Sequence, residues 1–428
     1  MTTVPVHYGY PVPGEIIRRS GTISTSKLTT RPLLFPLLFM DDIIHGAHGI
    51  EAARLANNKV DKVVKSLNLS LNQDKTSCIL MGNRKQRQDT KTELEGNPLM
   101  CGEFETKVKE KFKWLGQILS EGGLSESVNC TIEDREGKIR GACLEISQII
   151  NDWRSQAVGG MDTALLLWET CCIPSLLHGA GTLTDISTAT VKKLNKIQNW
   201  YFRLVYQIGP GASLPSLLWD TITLDMKFRV WIEKILLILA IRNLEEDSIA
   251  HLVYREQKEK KWPGLAAETA KICMDLNIED CNITLLSKKD YKQLVMEACH
   301  LKNKESLLLL AKGKCERLLW EEYKKKEYIS KKNIQDVRIQ FRSRFGLQRF
   351  AGNYSHDRSF AKSNWLCKCL DSREDESHLM SGQCKVYGDI TQKYPDLTDD
   401  ESLVGLFSDI LARRDQLDKQ QNNPVGVG

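Results

Sequence analysis

From Pro32 to Met40 the chain is apolar throughout, and the run ends at two adjacent carboxylates, Asp41 and Asp42. A second apolar piece, Ile43-Ile44, follows before Gly46. Apolar runs of strand length, interrupted by a short polar step, predict a β-hairpin, here with both acids at its tip. Like charges held that close repel each other unless a cation sits between them. Mg²⁺ (or Mn²⁺) is the expected guest, because it takes oxygen ligands and bridges carboxylates to phosphates. A pair of such ions can stabilise both the attacking and the leaving oxygen of nucleotidyl transfer. An isolated Asp-Asp more often starts a turn or caps a helix. The residues downstream decide between the two readings.

Composition narrows the setting. With 428 residues, the chain has room for two or three domains with real cores. A share of 41% hydrophobic and 27% charged residues is that of a soluble globular protein. The formal net charge of +5 is small, so affinity for a polyanion has to come from local patches. Met1–Gly21 lacks the apolar core of a signal peptide, and the apolar stretch Ile235–Ile241 is too short to span a bilayer. No membrane partner is expected, and the 13 cysteines are expected as free or metal-bound thiols in the nucleus or cytoplasm.

Along the chain, Leu55, Val60, Val63, Val64 and Leu67 recur near a helical period and predict an amphipathic helix over Glu51–Leu69. Ser77–Met81 reads as a strand, residues 83–110 as a long polar hairpin loop, and Phe112–Leu119 as a further strand. His45 and His48 are expected on a surface loop. Beyond residue 130, helical spacing dominates, punctuated by Pro174, Gly209-Pro210-Gly211 and Pro215. Trp168, Trp200, Trp219 and Trp231 are expected between helices. A basic tract from Lys324 to Phe350 carries Lys331, Lys332, Arg338, Arg342 and Arg344, interleaved with Phe341, Phe345 and Phe350. Cations beside aromatic faces suit single-stranded nucleic acid, and a solvated helix with its aromatics inward suits the pattern equally. Finally, Cys367, Cys369, His378 and Cys384 form Cys-x-Cys-x8-His-x5-Cys. Three thiols and an imidazole make a full tetrahedral set for Zn²⁺, though the first pair is tighter than usual.

Several of these segments together resemble the C-terminal half of the palm, and the thumb, of a reverse transcriptase from a non-LTR (LINE-type) retrotransposon. Phe39-Met40-Asp41-Asp42 is similar to the family's aromatic-x-Asp-Asp box, and Asn72-Gln73-Asp74-Lys75-Thr76 to its Asn-x-x-Lys-Thr motif. Phe112-Lys113-Trp114-Leu115-Gly116 resembles the primer grip, and Pro174–Gly179 with Lys196–Asn199 and Arg203 resembles the thumb. The Cys-Cys-His-Cys set resembles the knuckle that follows the thumb in site-specific elements.

The resemblance implies an α+β fold: a partial palm of antiparallel strands and a helix (31–125) after an irregular segment (1–30), then a helical thumb (126–260). A helical basic extension (261–355), a zinc knuckle (356–390) and a C-terminal helix and tail (391–428) complete it. It implies RNA-directed DNA synthesis, with Asp41 and Asp42 as metal ligands and Lys75 near the incoming nucleotide. Trp114, Leu115 and Gly116 would hold the primer end. The implied partners are an RNA template and a DNA primer, within a retroelement ribonucleoprotein. One departure matters: ahead of Asp41 the only acidic residue is Glu15, and there is no glutamine. The family's third palm aspartate and template-orienting glutamine are therefore missing from their expected places. A truncated enzyme, inactive alone, is expected; a decayed or domesticated relative that only binds nucleic acid is the alternative.

Overall fold

The computed structural model describes residues 36–39, 42–151, 160–184, 186–208, 214–246, 248–262, 264–279, 286–312, 316–319, 321–330, 333–345, 367–372, 376–395 and 400–422. Over these residues the protein is mixed α+β and mostly helical, with short strands confined to its first third. Two compact units separate. The first comprises Met1–Lys138, Ser175–Leu194 and Met226–Cys299; the second comprises Ile139–Pro174, Asn195–Asp225 and His300–Gly428. No helix among the described residues is long and apolar enough to cross a membrane.

In the first unit, β1 (Pro36–Phe39) and β2 (Asp42–His45) pair antiparallel, with Phe39 opposite Asp42. Then come α1 (Ile50–Ser66) and β3 (Ser77–Cys78), followed by α2 (Arg84–Gly96). Next, β4 (Met100–Cys101) pairs with β5 (Phe104–Glu105), while β6 (Lys107–Val108) runs parallel to β3. A second hairpin, β7 (Lys111–Trp114) and β8 (Gln117–Ser120), leads into α3 (Leu124–Asn151). The loop expected over 83–110 is thus largely a helix and three short strands. Its helix carries Leu94 as its one buried residue, so no apolar period marks it. What starts it is a capping box: Asn83 accepts from the Gln86 amide, and the Gln86 side chain returns to the Asn83 amide.

Helix α1 lies where the period puts it but buries another face. Ala52, Ala53, Ala56, Asn57 and Val64 are turned in, whereas Leu55, Val63 and Leu67 are exposed. Small side chains let α1 approach β4 closely, and Asn57 donates to Met100 O at 3.0 Å.

The second unit is built from α-helices. Short α4 (Met161–Leu167) runs through a π-turn, Trp168–Cys172, into α5 (Ile173–Leu176), the last residues of which belong to the first unit. After α6 (Thr188–Tyr206) come α7 (Leu214–Trp219), α8 (Met226–Arg242), α9 (Ile249–Glu259), α10 (Leu265–Asp275) and α11 (Lys288–Ala311). The chain closes with α12 (Ile334–Arg344), α13 (Glu376–Met380), α14 (Gly388–Gln392) and α15 (Asp400–Asn422). Of these, α8 to α10 belong to the first unit, as do the opening turns of α6 and the N-terminal half of α11. Aromatic rings fill the second unit's core: Trp168 stacks on Tyr201 at 4.7 Å and Tyr206 on Phe341 at 3.7 Å. Trp168 and Trp219 are fully buried and Trp200 and Trp231 half-buried.

Candidate functional site

Three motif segments meet in one small core. Ile44 of β2, Ile79 just past β3, and Phe112 and Leu119 of the β7–β8 hairpin form a buried cluster, with Met81 and Trp114 packed against it. Ile44 sits two residues beyond Asp42, Ile79 four beyond Lys75, and Phe112 opens the segment Phe112–Gly116. Asp42 is described as strand backbone only, and Asp41 lies outside the described residues. The expected Mg²⁺ site therefore has no described ligand atom.

His45, expected on a surface loop, is instead the last residue of β2 and is buried. Its Nε2 lies 3.2 Å from Asn57 Oδ1, and its Nδ1 is buried without a hydrogen-bond partner. Burial holds the imidazole below its ordinary value, with the Asn57 hydrogen bond offsetting part of that shift. His45 shares a strand face with Ile43, and that face is buried like the opposite one at Ile44. His48 is exposed.

Lys75 is exposed, and local hydrogen bonds explain why the turn before it contains Asn72. The Asn72 Oδ1 accepts from the amides of Asp74 and Lys75 at 3.0 and 3.2 Å, and Thr76 Oγ1 donates to Asn72 O at 2.8 Å. An Asx turn of this kind throws the intervening side chains outward.

The strand expected over Phe112–Leu119 is two strands. Trp114 pairs with Gln117 across a two-residue turn in which Leu115 has φ +46° and Gly116 φ +77°. Positive φ at both positions is the type I′ geometry that matches strand twist, and the glycine supplies half of it without strain. Trp114 is half-buried against the cluster, with its indole nitrogen unpartnered; Leu115 is 37% exposed at the tip. Sequence reasoning missed what holds this tip. Arg135 on α3 donates to Gly116 O at 2.8 Å and to Leu176 O at 3.1 Å. The Gln117 amide reaches Gly179 O at 3.3 Å and Thr182 Oγ1 at 3.0 Å. A lone arginine in a helix gives no pattern that would have flagged it.

The sulfur–imidazole set is the best-formed site. The ligand atoms of Cys367, Cys369, His378 and Cys384 all lie within 4.8 Å of one another, so together they could hold a metal ion such as zinc. Cys367 and Cys384 Sγ are 3.6 Å apart, and Cys369 Sγ is 3.3 Å from His378 Nε2. With zinc–sulfur distances of about 2.3 Å, tetrahedral edges near 4 Å are expected, so these separations fit. Helix α13 aims His378 at the thiols and sends its neighbour Leu379 into the core. The tight Cys-x-Cys turn is closed by Leu370 N donating to Cys367 O at 2.8 Å and Cys367 N to Ser372 O at 2.9 Å. Burial raises the Cys367 thiol. Burial also opposes the charge on Cys369, but amides led by that of Asp371 outweigh it and hold this thiol low. Four protein ligands leave no open position, which is the arrangement of a structural metal. The set is also continuous with a core that takes in Tyr387, Ile390, Val404, Phe407 and Ile410, which joins it to α14 and α15.

The basic tract corrects the expected surface placement. Arg338 is fully buried, and its guanidinium donates to Val205 O at 2.7 Å and Asn151 Oδ1 at 2.6 Å. Arg342 donates to Tyr206 O at 2.9 Å and Gln207 O at 3.1 Å. Those carbonyls are the open end of α6, where unsatisfied oxygens and the helix dipole favour cations. Arg344 grips the fully buried Asp220 at 2.8 and 3.1 Å and also reaches Glu321. Phe341 is buried against Tyr206 rather than open to a base. Lys331, Lys332 and Phe350 lie outside the described residues.

Comparison with protein-family models, with curated proteins and with solved structures finds no match to this chain.

Proposed function

We propose that this chain is a palm-to-knuckle portion of a non-LTR retrotransposon reverse transcriptase, a nucleic-acid-handling protein built for RNA-directed DNA synthesis. What carries the reading is the shared core of Ile44, Ile79, Phe112 and Leu119. A common site would require these segments to lie together, and their shared packing supports the reading in that respect. In that site Asp41 and Asp42 would hold divalent metal ions, which supply electrostatic stabilisation to the transferring phosphate. Lys75, exposed beside the strand, would face the incoming nucleotide. The tip at Leu115 and Gly116 would hold the primer end, with Trp114 bracing it from the core side.

The zinc-compatible cluster belongs to the same reading as a staple for the C-terminal helices. Arg338, Arg342 and Arg344 are given no nucleic-acid contact, because they serve the fold. A narrower reading, binding without synthesis, is held for the chain tested by itself, which carries two of the three carboxylates the resemblance calls for. Two carboxylates do not replace three around two metal ions.

A primer–template of RNA and DNA with a recessed 3′ end tests both readings. The purified chain is expected to bind it with affinity that falls steeply as salt rises. The same chain alone is expected to incorporate no nucleotide in Mg²⁺ or Mn²⁺. Absence of binding would remove the family reading, and incorporation would remove the narrower one.

A further inference from the structure

Two cysteines outside the metal-compatible set meet inside the second unit. Cys143 of α3 and Cys172, the last residue of the π-turn, are both fully buried, and their sulfurs are 3.9 Å apart. Both belong to the Ile139–Pro174 segment of that unit. A disulfide holds its sulfurs at about 2 Å, so roughly another 2 Å has to close. The turn that carries Cys172 is anchored at its start. Trp168 stacks there on Tyr201 at 4.7 Å, and the Ile173 amide donates back to Trp168 O across the widened turn. Cys171, the residue before Cys172, is exposed, so the pair lies one position along the chain from the surface.

The contact divides the two thiols chemically. The hydrogen bond from Cys143 holds the Cys172 thiol below its ordinary value, against the opposing effect of burial. The same bond, together with burial, pushes Cys143 up, and Arg140 one turn earlier on α3 offsets only part of that. Cys172 is therefore the better nucleophile and Cys143 keeps the proton.

We propose that Cys143 and Cys172 are an oxidative modification site, a dithiol that hydrogen peroxide converts to a disulfide between α3 and the π-turn. The Cys172 thiolate attacks one peroxide oxygen, the O–O bond breaks and hydroxide leaves, so that Cys172 becomes a sulfenic acid. The Cys143 sulfur then attacks the Cys172 sulfur, the S–O bond breaks, and the departing hydroxide takes the Cys143 proton as water. Two thiols and one peroxide give one disulfide and two waters; both sulfurs are oxidised and both peroxide oxygens reduced. Burial makes the reaction slow and selects a neutral, water-sized oxidant that enters by local opening. The product closes a loop over residues 143–172, which restrains the unfolded chain and favours the folded unit until a thiol reductant opens it. None of this rests on the reverse-transcriptase reading.

The test treats the full chain with hydrogen peroxide, denatures it, alkylates the remaining thiols and maps the cysteine peptides by mass spectrometry, with and without dithiothreitol. Expected is a reducible cross-link of the Cys143 and Cys172 peptides, two hydrogens lighter than the separate pair, and a higher urea midpoint for the oxidised chain. The map separates this product from one between Cys367 and Cys384, the close pair within the metal-compatible set. Cys171→Ala is expected to keep the cross-link. In Cys143→Ala, dimedone is expected to trap the sulfenic acid on Cys172, and peroxide to leave the urea midpoint where it was.

Cys143 and Cys172 both open to alkylation in the peroxide-treated wild type would overturn the site, and so would a cross-link of Cys172 to Cys171. A Cys143–Cys172 cross-link with an unmoved midpoint would overturn the clamp it is said to form. The wild-type map decides the pairing even if a variant does not fold.

Discussion

The two candidate centres differ in how far the chain travels to complete them. The sulfur–imidazole set takes all four ligands from Cys367 to Cys384, with one tight turn and one short helix to aim them. The hairpin region gathers Ile44, Ile79, Phe112 and Leu119 from four strand segments, and needs Arg135 and Gln117 to seat the last of its hairpins. A centre closed within one local segment carries its own chemistry wherever it is placed. One assembled across a sheet depends on every strand that contributes, so losing a single carboxylate alters what it can do. The contrast sets a metal-compatible set complete within one segment against a hairpin core that several segments must build together.

The largest effect is expected at the staple. Removing metal with a chelator, or Cys367→Ser, should release one zinc and unfold the core around Tyr387, Ile390 and Phe407. Binding of a structural zinc is worth on the order of 10 kcal/mol near neutral pH, so the loss should be seen at once in thermal unfolding. Elemental analysis that finds no zinc would break the comparison at its firmer side.

The next effect tests where the arginines work. Arg338→Ala leaves Val205 O and Asn151 without their buried donor and should destabilise by about 3–5 kcal/mol. Urea unfolding measures it. A stable variant with weakened nucleic-acid binding would return Arg338 to the surface role expected from sequence.

Within the hairpin core, Ile79→Ala should cost about 2–5 kcal/mol, as large-to-small changes in packed cores do. If it destabilises by under 1 kcal/mol, the three motif segments do not share a packed core, and the convergence argument fails.

His45 gives a smaller, pH-dependent effect. Its imidazole is held below the ordinary value of 6.5, so the unfolded chain binds the extra proton more readily than the folded one. The contribution is intact above pH 6.5 and lost as pH falls below it, at a slope of at most about 1.4 kcal/mol per pH unit. His45→Gln should flatten that slope between pH 6.5 and 5; an unchanged slope would assign the acid sensitivity elsewhere. The smallest effect belongs to Lys75→Ala, within about 0.5 kcal/mol of no change in stability, since the side chain is exposed.

The sequence made some of this legible and hid the rest for physical reasons. The long helices announced themselves by apolar spacing, and the cysteines and histidine by a spacing that needs no tertiary context. Helix α2 stayed hidden because its signal is a cap rather than a period. The buried face of α1 was misjudged because alanines, not Leu55 or Val63, allow the close approach to β4. The type I′ turn at Leu115-Gly116 was passed over because a leucine with positive φ is an unusual occupant. Arg338 and Arg342 read as a basic surface because their partners, the last carbonyls of α6, are far away in sequence.

The most direct test concerns the acidic pair. Join this chain to an N-terminal half typical of the family, supplying the third aspartate, and compare the parent with Asp41→Ala. Nucleotide incorporation and primer–template affinity are measured on the same preparations. The expected result is incorporation by the parent, its abolition in Asp41→Ala, and equal affinity in both. Turnover that survives the substitution would make Asp41 an ordinary turn residue and contradict the reading of the hairpin.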